Sequence, residues 1–502
     1  MQRKINIQYM DERYIATVDM GTSKLALTVA KIAGEGIEVL YYSEKPSDGV
    51  RYSRIFNPIR AAGPLKTAVE EAERELSIKI NQVVIGLPRW GVRQETSSAL
   101  LNRDGNSCIT QDEIDSIKNI ALDSYPLDDE SKEEIYGAAA QSFSTEDMIN
   151  CTEEDVVGQP SASLEGNFKV FVGAKKAMTN IDIMLNHANL APARKYFLPS
   201  ATANAVLTRE EKENGVALVE MGAGVTSVTI FQGNILRYYY AIPFGGKSVT
   251  TDIKMECGFT EKLAENIKLA YGACMPEHLQ SLSEKILQIN DTEDGTDQQL
   301  PVKYLSEIIT ARMKEITDAI LFKIQESGYS DRLRNGVVLT GGGANLANCA
   351  NFIKEMSGYN VRIGYPRMKR FSASGCPGIG ETGAVASLGM LLLAKDDLYV
   401  NCTSEVPKEE EEEVVESPVQ EVENELGTIN GKTGAKPAPE SEAEESDNTV
   451  DSVLDPDAWE VHKPVKQPKA KKPRKESKLF KWTKKVSESF SERVGSIYDS
   501  ME

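Results

Sequence analysis

The chain has 502 residues, 40% of them hydrophobic, and a formal net charge of -19. That length holds several domains or subdomains at about 100–200 residues each, and so acidic a chain argues against nucleic acid as a partner. Its seven cysteines show no C-x-x-C spacing and its three histidines are scattered, which argues against a metal-ligand cluster and points to reduced, cytosolic thiols.

Residues 1–9 are mixed polar with no apolar run, unlike a secretory signal. From there to about 396, apolar periodic segments alternate with short polar breaks, the pattern of a folded body. The first segment predicts a short β-branched strand over 14–18, a turn over 19–24, and a second strand in which Leu25, Leu27 and Val29 alternate with small or polar residues. A third strand is expected over 37–41 and a helix over 59–76. The same plan returns about 200 residues later: a strand over 216–219, a turn over 220–224, an alternating strand carrying Val228 and Ile230, a strand over 235–241 and a helix over 248–255. Two β-β-β-α units of similar topology would face each other across a cleft.

The turns carry the candidate chemistry. In the first, Asp19 ends a strand and Gly21 lets the backbone approach an anion, while Thr22, Ser23 and Lys24 offer donors to phosphate oxygens. An acid-x-Gly hairpin turn is common, so alone it says little. Its counterpart, Glu220 with Gly222, Ala223 and Gly224, makes a two-sided grip on a polyphosphate the better reading, the two acids holding metal-bound water. A third element, a buried strand ending in Gly341, Gly342 and Gly343 with Asn345 beyond, suits close approach to a base or phosphate. By itself it is equally a plain strand-to-helix turn.

In this order, the three turns resemble the two phosphate loops and the adenosine loop of the actin, Hsp70 and sugar-kinase superfamily. Small-residue helices over 200–207 and 380–391 fall where that superfamily has its interdomain connecting helices. The segment 242–253, with Gly246, and the segment 261–272 are similar to the corresponding parts of the FtsA family. The resemblance implies an α/β fold: an actin-like, two-lobed, duplicated β-β-β-α architecture with RNase H-like halves. It implies a first lobe of 1–84, 166–200 and 376–396, a family-type inserted subdomain over 85–165, a second lobe of 201–254 and 336–375, and a further inserted subdomain over 255–335. It implies ATP and Mg2+ as cofactors, Asp19 and Glu220 as the catalytic acids acting on the metal through water, and contacts from Glu265 and Lys268 to ribose or base; a surface ion pair is the alternative for the last two. Glu220 stands where the family usually has aspartate, and Val225 where it has a hydroxyl residue, with Thr226 next door. These departures favour ATP binding with at most slow hydrolysis.

Beyond 396 the pattern breaks down. Residues 401–462 hold 19 acidic and 3 basic residues, a net of -16, and 463–485 hold 11 basic and 1 acidic, a net of +10. We expect a disordered linker over 397–475 and an amphipathic helix over 476–502. Leu479, Phe480, Trp482, Val486 and Phe490 recur at helical spacing, with Lys478, Lys481, Lys484 and Lys485 beside them. That pattern is expected of a helix lying on anionic membrane lipid; docking on the body or in a partner's groove are its rivals. The longest apolar stretch, 384–394, is too short to span a bilayer, so membrane association would be peripheral. The resemblance further implies a cell-division scaffold that tethers FtsZ, through its C-terminal tail, to the cytoplasmic face of the inner membrane at the septum. Such a scaffold would recruit other division proteins and self-associate into filaments. A small-molecule kinase on the same fold and a pilus-platform protein of the PilM type are the alternatives.

Overall fold

The computed structural model describes residues 12–103, 107–290 and 297–403. The expected linker beyond 403 and the expected membrane helix, with Lys478, Leu479, Phe480, Lys481, Trp482, Lys484, Lys485, Val486 and Phe490, lie outside the described residues.

The internal repeat becomes two sheets of one topology. In the first, Arg13–Met20 pairs antiparallel with Lys24–Ala33, which pairs with Gly36–Pro46. Gln82–Gly86 then joins Arg13–Met20 in parallel, Ala191–Tyr196 follows it, and Ser372–Ala373 closes the opposite edge. In the second, Val216–Met221, Thr226–Gln232 and Ile235–Ile242 form the same antiparallel triplet. Val337–Thr340 and Val361–Ile363 continue it in parallel. Both sheets therefore read third, second, first, fourth, fifth strand, and this is the actin-like α/β fold.

The alternation expected along the second strand is one of size, not exposure. Ala26, Thr28 and Ala30 are as buried as Leu25, Leu27 and Val29, because helices Pro58–Leu76 and Val385–Asp396 both pack against that strand. A strand covered on both faces reads as a continuous apolar run. Helix Pro58–Leu76 starts where Asn57 accepts from the backbone N–H of Arg60 and Pro58 occupies the first turn. It buries Ala61, Leu65, Ala68, Val69 and Ala72 along one stripe.

Residues between the halves' strands form additional layers. Arg93–Asn102, Ser163–Ala174 and Glu133–Ser144 make a three-stranded antiparallel sheet. Helix Gln111–Asp123 packs on it, started by a capping box in which Thr110 and Glu113 satisfy each other's backbone N–H groups. This layer has its own apolar cluster around Ile114, Ile117, Phe143 and Phe168. Its last strand runs on to Ala174, past the 165 at which the insertion was expected to end. In the second half, helix Glu261–Tyr271, the hairpin of Ile286–Asn290 with Asp297–Pro301, and the long helix Val302–Glu326 follow helix Gly246–Cys257.

The body also extends past the expected start of the linker at 397. The backbone N–H of Cys402 donates to Tyr14 (2.7 Å), and its carbonyl accepts from Asn81 and Gln82 (3.1 and 3.2 Å). The Arg13 guanidinium donates to the carbonyls of Asp397 and Val400 (2.5 and 3.1 Å). The acidic composition hid this, because the attachment is made mainly by backbone groups that composition does not report.

Helices Leu198–Val206 and Val385–Asp396 cross where small residues led us to expect close packing. A Cβ on Gly389 would lie 2.1 Å from the Ala201 carbonyl oxygen, so no other residue fits without parting the two helices. Gly389→Val is therefore expected to lower stability by about 1–3 kcal/mol or more. Urea denaturation of the variant against the parent chain measures this, and an unchanged midpoint would contradict the packing account.

Candidate nucleotide cleft

The two hairpin turns are built by one device. In the first, Gly21 N–H donates to the Lys24 carbonyl at 2.9 Å; in the second, Gly222 N–H donates to the Val225 carbonyl at 2.8 Å. A Cβ would sit 2.7 Å from the Lys24 oxygen at position 21, and 2.9 Å from the Val225 oxygen at 222. Both turns thus require glycine for close approach. The turns also meet each other: a Cβ on Gly224 would fall 2.7 Å from Thr22 Oγ1. That hydroxyl accepts from Ser53 N–H at 3.0 Å. Ser53 and Tyr52 form a tight turn with both φ angles positive, 58° and 48°, a conformation non-glycine residues adopt at a cost and mostly at functional sites.

The third wall is the glycine run after strand Val337–Thr340. Gly341 takes φ 82°, and a Cβ there would lie 2.6 Å from the Met221 carbonyl oxygen, so this run packs directly on the second turn. Gly342 faces open space. Thr382 donates from its hydroxyl toward the Gly341 carbonyl and Asn345 Oδ1, both at 3.1 Å. The helix expected straight after the glycines begins only at Cys349, after a short 3-10 turn over Gly342–Asn345.

These walls enclose one cleft of about 450 Å3, whose lining includes Asp19, Gly21, Thr22, Ser23 and Lys24 from the first turn and Glu220, Gly222, Ala223 and Gly224 from the second. Gly246, Glu265, Lys268, Gly341, Gly342, Gly343 and Asn345 complete the set expected from the sequence. The size lies in the range of small-molecule and cofactor sites.

Individual roles are less uniform than the resemblance suggests. Helix Gly246–Cys257 is docked on the second turn by Gly246 N–H to the Gly222 carbonyl (3.0 Å) and Lys247 N–H to the Ala223 carbonyl (2.7 Å). Lys268 is buried rather than part of a surface ion pair. Its ammonium donates to the Gly246 carbonyl (3.1 Å), Thr250 Oγ1 (2.9 Å) and Glu265 Oε2 (2.8 Å). An ammonium has three donors, so Lys268 braces the helix against the turn and has none left for ribose or base. Lys24 is ion-paired with Glu44. Val225 lines the cleft, and its neighbour Thr226 does not replace the missing hydroxyl: Thr226 Oγ1 donates to the Phe244 carbonyl at 2.9 Å.

The residue that sequence reasoning missed is Arg89. It follows strand Gln82–Gly86 and is buried between the two acids. Nη2 donates to Glu220 Oε1 at 2.7 Å, and both Nη atoms lie 3.4 Å from Asp19 Oδ1. Glu220 uses its other oxygen to accept from Thr202 at 3.2 Å, on the connecting helix. Burial opposes the guanidinium's charge, but Glu220 and then Asp19 more than offset it and hold its pKa above the ordinary arginine value. The available signal was positional, since ligands of open α/β sheets bind beyond the carboxyl ends of strands.

Mg2+ does not fit the two acids as arranged. The space between Asp19 and Glu220 holds a guanidinium that contacts both. Replacing Arg89 alone should therefore be costly: Arg89→Met is expected to lose up to about 3–5 kcal/mol by leaving two partly buried carboxylates without their cation. Adding Asp19→Asn and Glu220→Gln should recover much of it. Denaturant midpoints of the single and triple variants measure this, and a triple variant no more stable than the single one would contradict the ion-pair account.

Comparison with known proteins agrees with this architecture. The family model described as Cell division protein FtsA matches residues 217–378. The chain is 28% identical over 362 residues to Cell division protein FtsA of Neisseria meningitidis serogroup B, covering 71% of this chain and 84% of that protein. It is 27% identical over 358 residues to that of Pseudomonas aeruginosa, covering 70% and 83%. Among solved structures, the PilM-PilN type IV pilus biogenesis complex aligns at TM-score 0.55 and 17% identity, covering 76% of this chain and 98% of that one, a likeness of fold alone. Its duplicated sheets and relatives of one description along most of the body make the chain similar to Cell division protein FtsA of several bacteria.

Proposed function

We propose that this chain is an ATP-binding scaffold of cell division that tethers FtsZ filaments to the membrane. The observation that carries the nucleotide part is the cleft itself, where three glycine turns from two matching halves converge. Triphosphate would lie between the first and second turns, against Thr22, Ser23, Ala223 and Gly224. The base would lie toward the Gly341–Gly343 wall, with Glu265 beside the sugar. Hydrolysis would be slow at most. Asp19 and Glu220 are both engaged by Arg89, and no hydroxyl stands at Val225.

The membrane part rests on the terminal pattern of Leu479, Trp482, Val486 and Phe490 with Lys478, Lys481, Lys484 and Lys485. It suits a helix lying on anionic lipid at the cytoplasmic face of the septal membrane. Among the described residues no helix is long and apolar enough to cross a membrane. Contacts with the FtsZ C-terminal tail through 255–335, with other division proteins through the inserted sheet, and with further copies in a filament are what the likeness to Cell division protein FtsA suggests for this chain.

Gly342→Phe tests the cleft. Its Cβ enters open space, so the variant should keep its thermal stability while losing at least about tenfold in ATP affinity, equivalent to about 1.4 kcal/mol. Unchanged affinity by calorimetric titration would overturn the site. Co-sedimentation with anionic liposomes tests the tether: the full chain should pellet and a chain lacking residues 476–502 should not. Equal pelleting would overturn membrane binding through the tail.

A further inference from the structure

Two cations compete, in principle, for any pair of facing carboxylates: a bound metal ion and a basic side chain. At the junction of the two halves the side chain is already in place. Arg89 reaches Glu220 at 2.7 Å and Asp19 at 3.4 Å. Glu220 reaches both Arg89 and Thr202 through separate oxygens.

The arginine is also built into position from its backbone. Tyr239, fully buried in the second half, donates its hydroxyl to the Arg89 carbonyl. Its ring is wedged against Phe171 and Phe197, with centroids 6.2 and 5.1 Å away. The neighbouring Trp90 packs on Tyr52 at 5.2 Å. The chain at 89 and 90 is thus held by Tyr239 and Tyr52, from two other segments, and the guanidinium has little freedom to vacate the space between the acids.

One further donor is left over. Arg89 Nε is buried and has no hydrogen-bond partner among the described residues, although Arg89 lines the cleft. A buried donor left without an acceptor is costly, and an anionic oxygen in the cleft would satisfy it. Guanidinium is suited to that task, since its donors fork toward both a carboxylate and a phosphate.

We infer that Arg89 holds the cation position between Asp19 and Glu220, so that ATP binds with its phosphates facing a guanidinium and without dependence on a divalent ion held by the two acids. This rests on the nucleotide reading of the cleft. The arginine serves here in binding, and no chemical step is assigned to it.

The test is ATP affinity of the full chain, by calorimetric titration, in Mg2+ and in excess EDTA. The dissociation constants should differ by less than about fivefold, under 1 kcal/mol; a larger loss in EDTA would overturn the inference. In Arg89→Met the two bare carboxylates repel the phosphates, and affinity should become strongly dependent on Mg2+. The parent comparison stands even if that variant does not fold. If ATP binds under neither condition, the nucleotide reading itself fails, and Mn2+ uptake followed by electron paramagnetic resonance then judges Arg89 alone. Arg89→Met taking up an ion that the parent chain does not, and that Glu220→Gln abolishes, would support the assignment. Any other pattern of uptake would overturn it.

Discussion

Asp19 and Glu220 are equivalent positions of a duplicated strand, and the duplication brings them face to face. Two partly buried carboxylates at close range repel each other and lose much of their hydration, so the arrangement depends on a positive charge between them. Arg89 provides it from a third strand end. The position of the first turn relative to the second, the contact of Glu220 with the connecting helix through Thr202, and the shape of the cleft floor all follow from that placement.

Around this charge cluster the fold uses absent side chains. Gly21 and Gly222 close the two hairpins, Gly224 admits Thr22 from the opposite turn, Gly341 lies on Met221, and Gly389 lets the two connecting helices touch. Each is a point where two backbone segments approach closer than any Cβ allows. The cleft is consequently walled largely by main chain, which presents fixed N–H and C=O dipoles and loses little entropy on binding. Charged side chains nearby are mostly committed to one another: Lys268 to Glu265 and Thr250, Lys24 to Glu44. They set the shape of the walls more than they offer free donors.

How much of this was legible in sequence depended on whether the signal was local. The hairpins, the capping box at Thr110 and the glycine turns are local patterns, and each has a single-segment physical cause that residue types disclose. Arg89 is not local. The run from Val83 to Trp90 marks it only by its place just past a strand end, and its meaning arises when residues 70 and 131 positions away in the chain converge on it. The attachment of 397–403 was hidden for a related reason: it consists mainly of hydrogen bonds between its backbone groups and residues on or beside two neighbouring strands of the first sheet. Lys268 shows the reverse case. Its three-residue spacing from Glu265 was evident, but spacing could not reveal that Gly246 and Thr250 would take its remaining donors.

The same cluster sets what the cleft is able to do with a bound anion. Arg89 belongs to the first half by its strand, contacts Glu220 of the second through its side chain, and is held at its carbonyl by Tyr239 of the second. Any ligand that draws on the guanidinium therefore alters an interaction spanning both halves. A ligand shifts a conformational equilibrium only by its differential affinity for the two states, and a contact made by a cross-half residue is a direct source of such a difference. At Gly389 the two connecting helices meet backbone to backbone, with no side chain between them. Under the proposed nucleotide reading, binding and inter-half geometry would be coupled through one side chain that both halves hold.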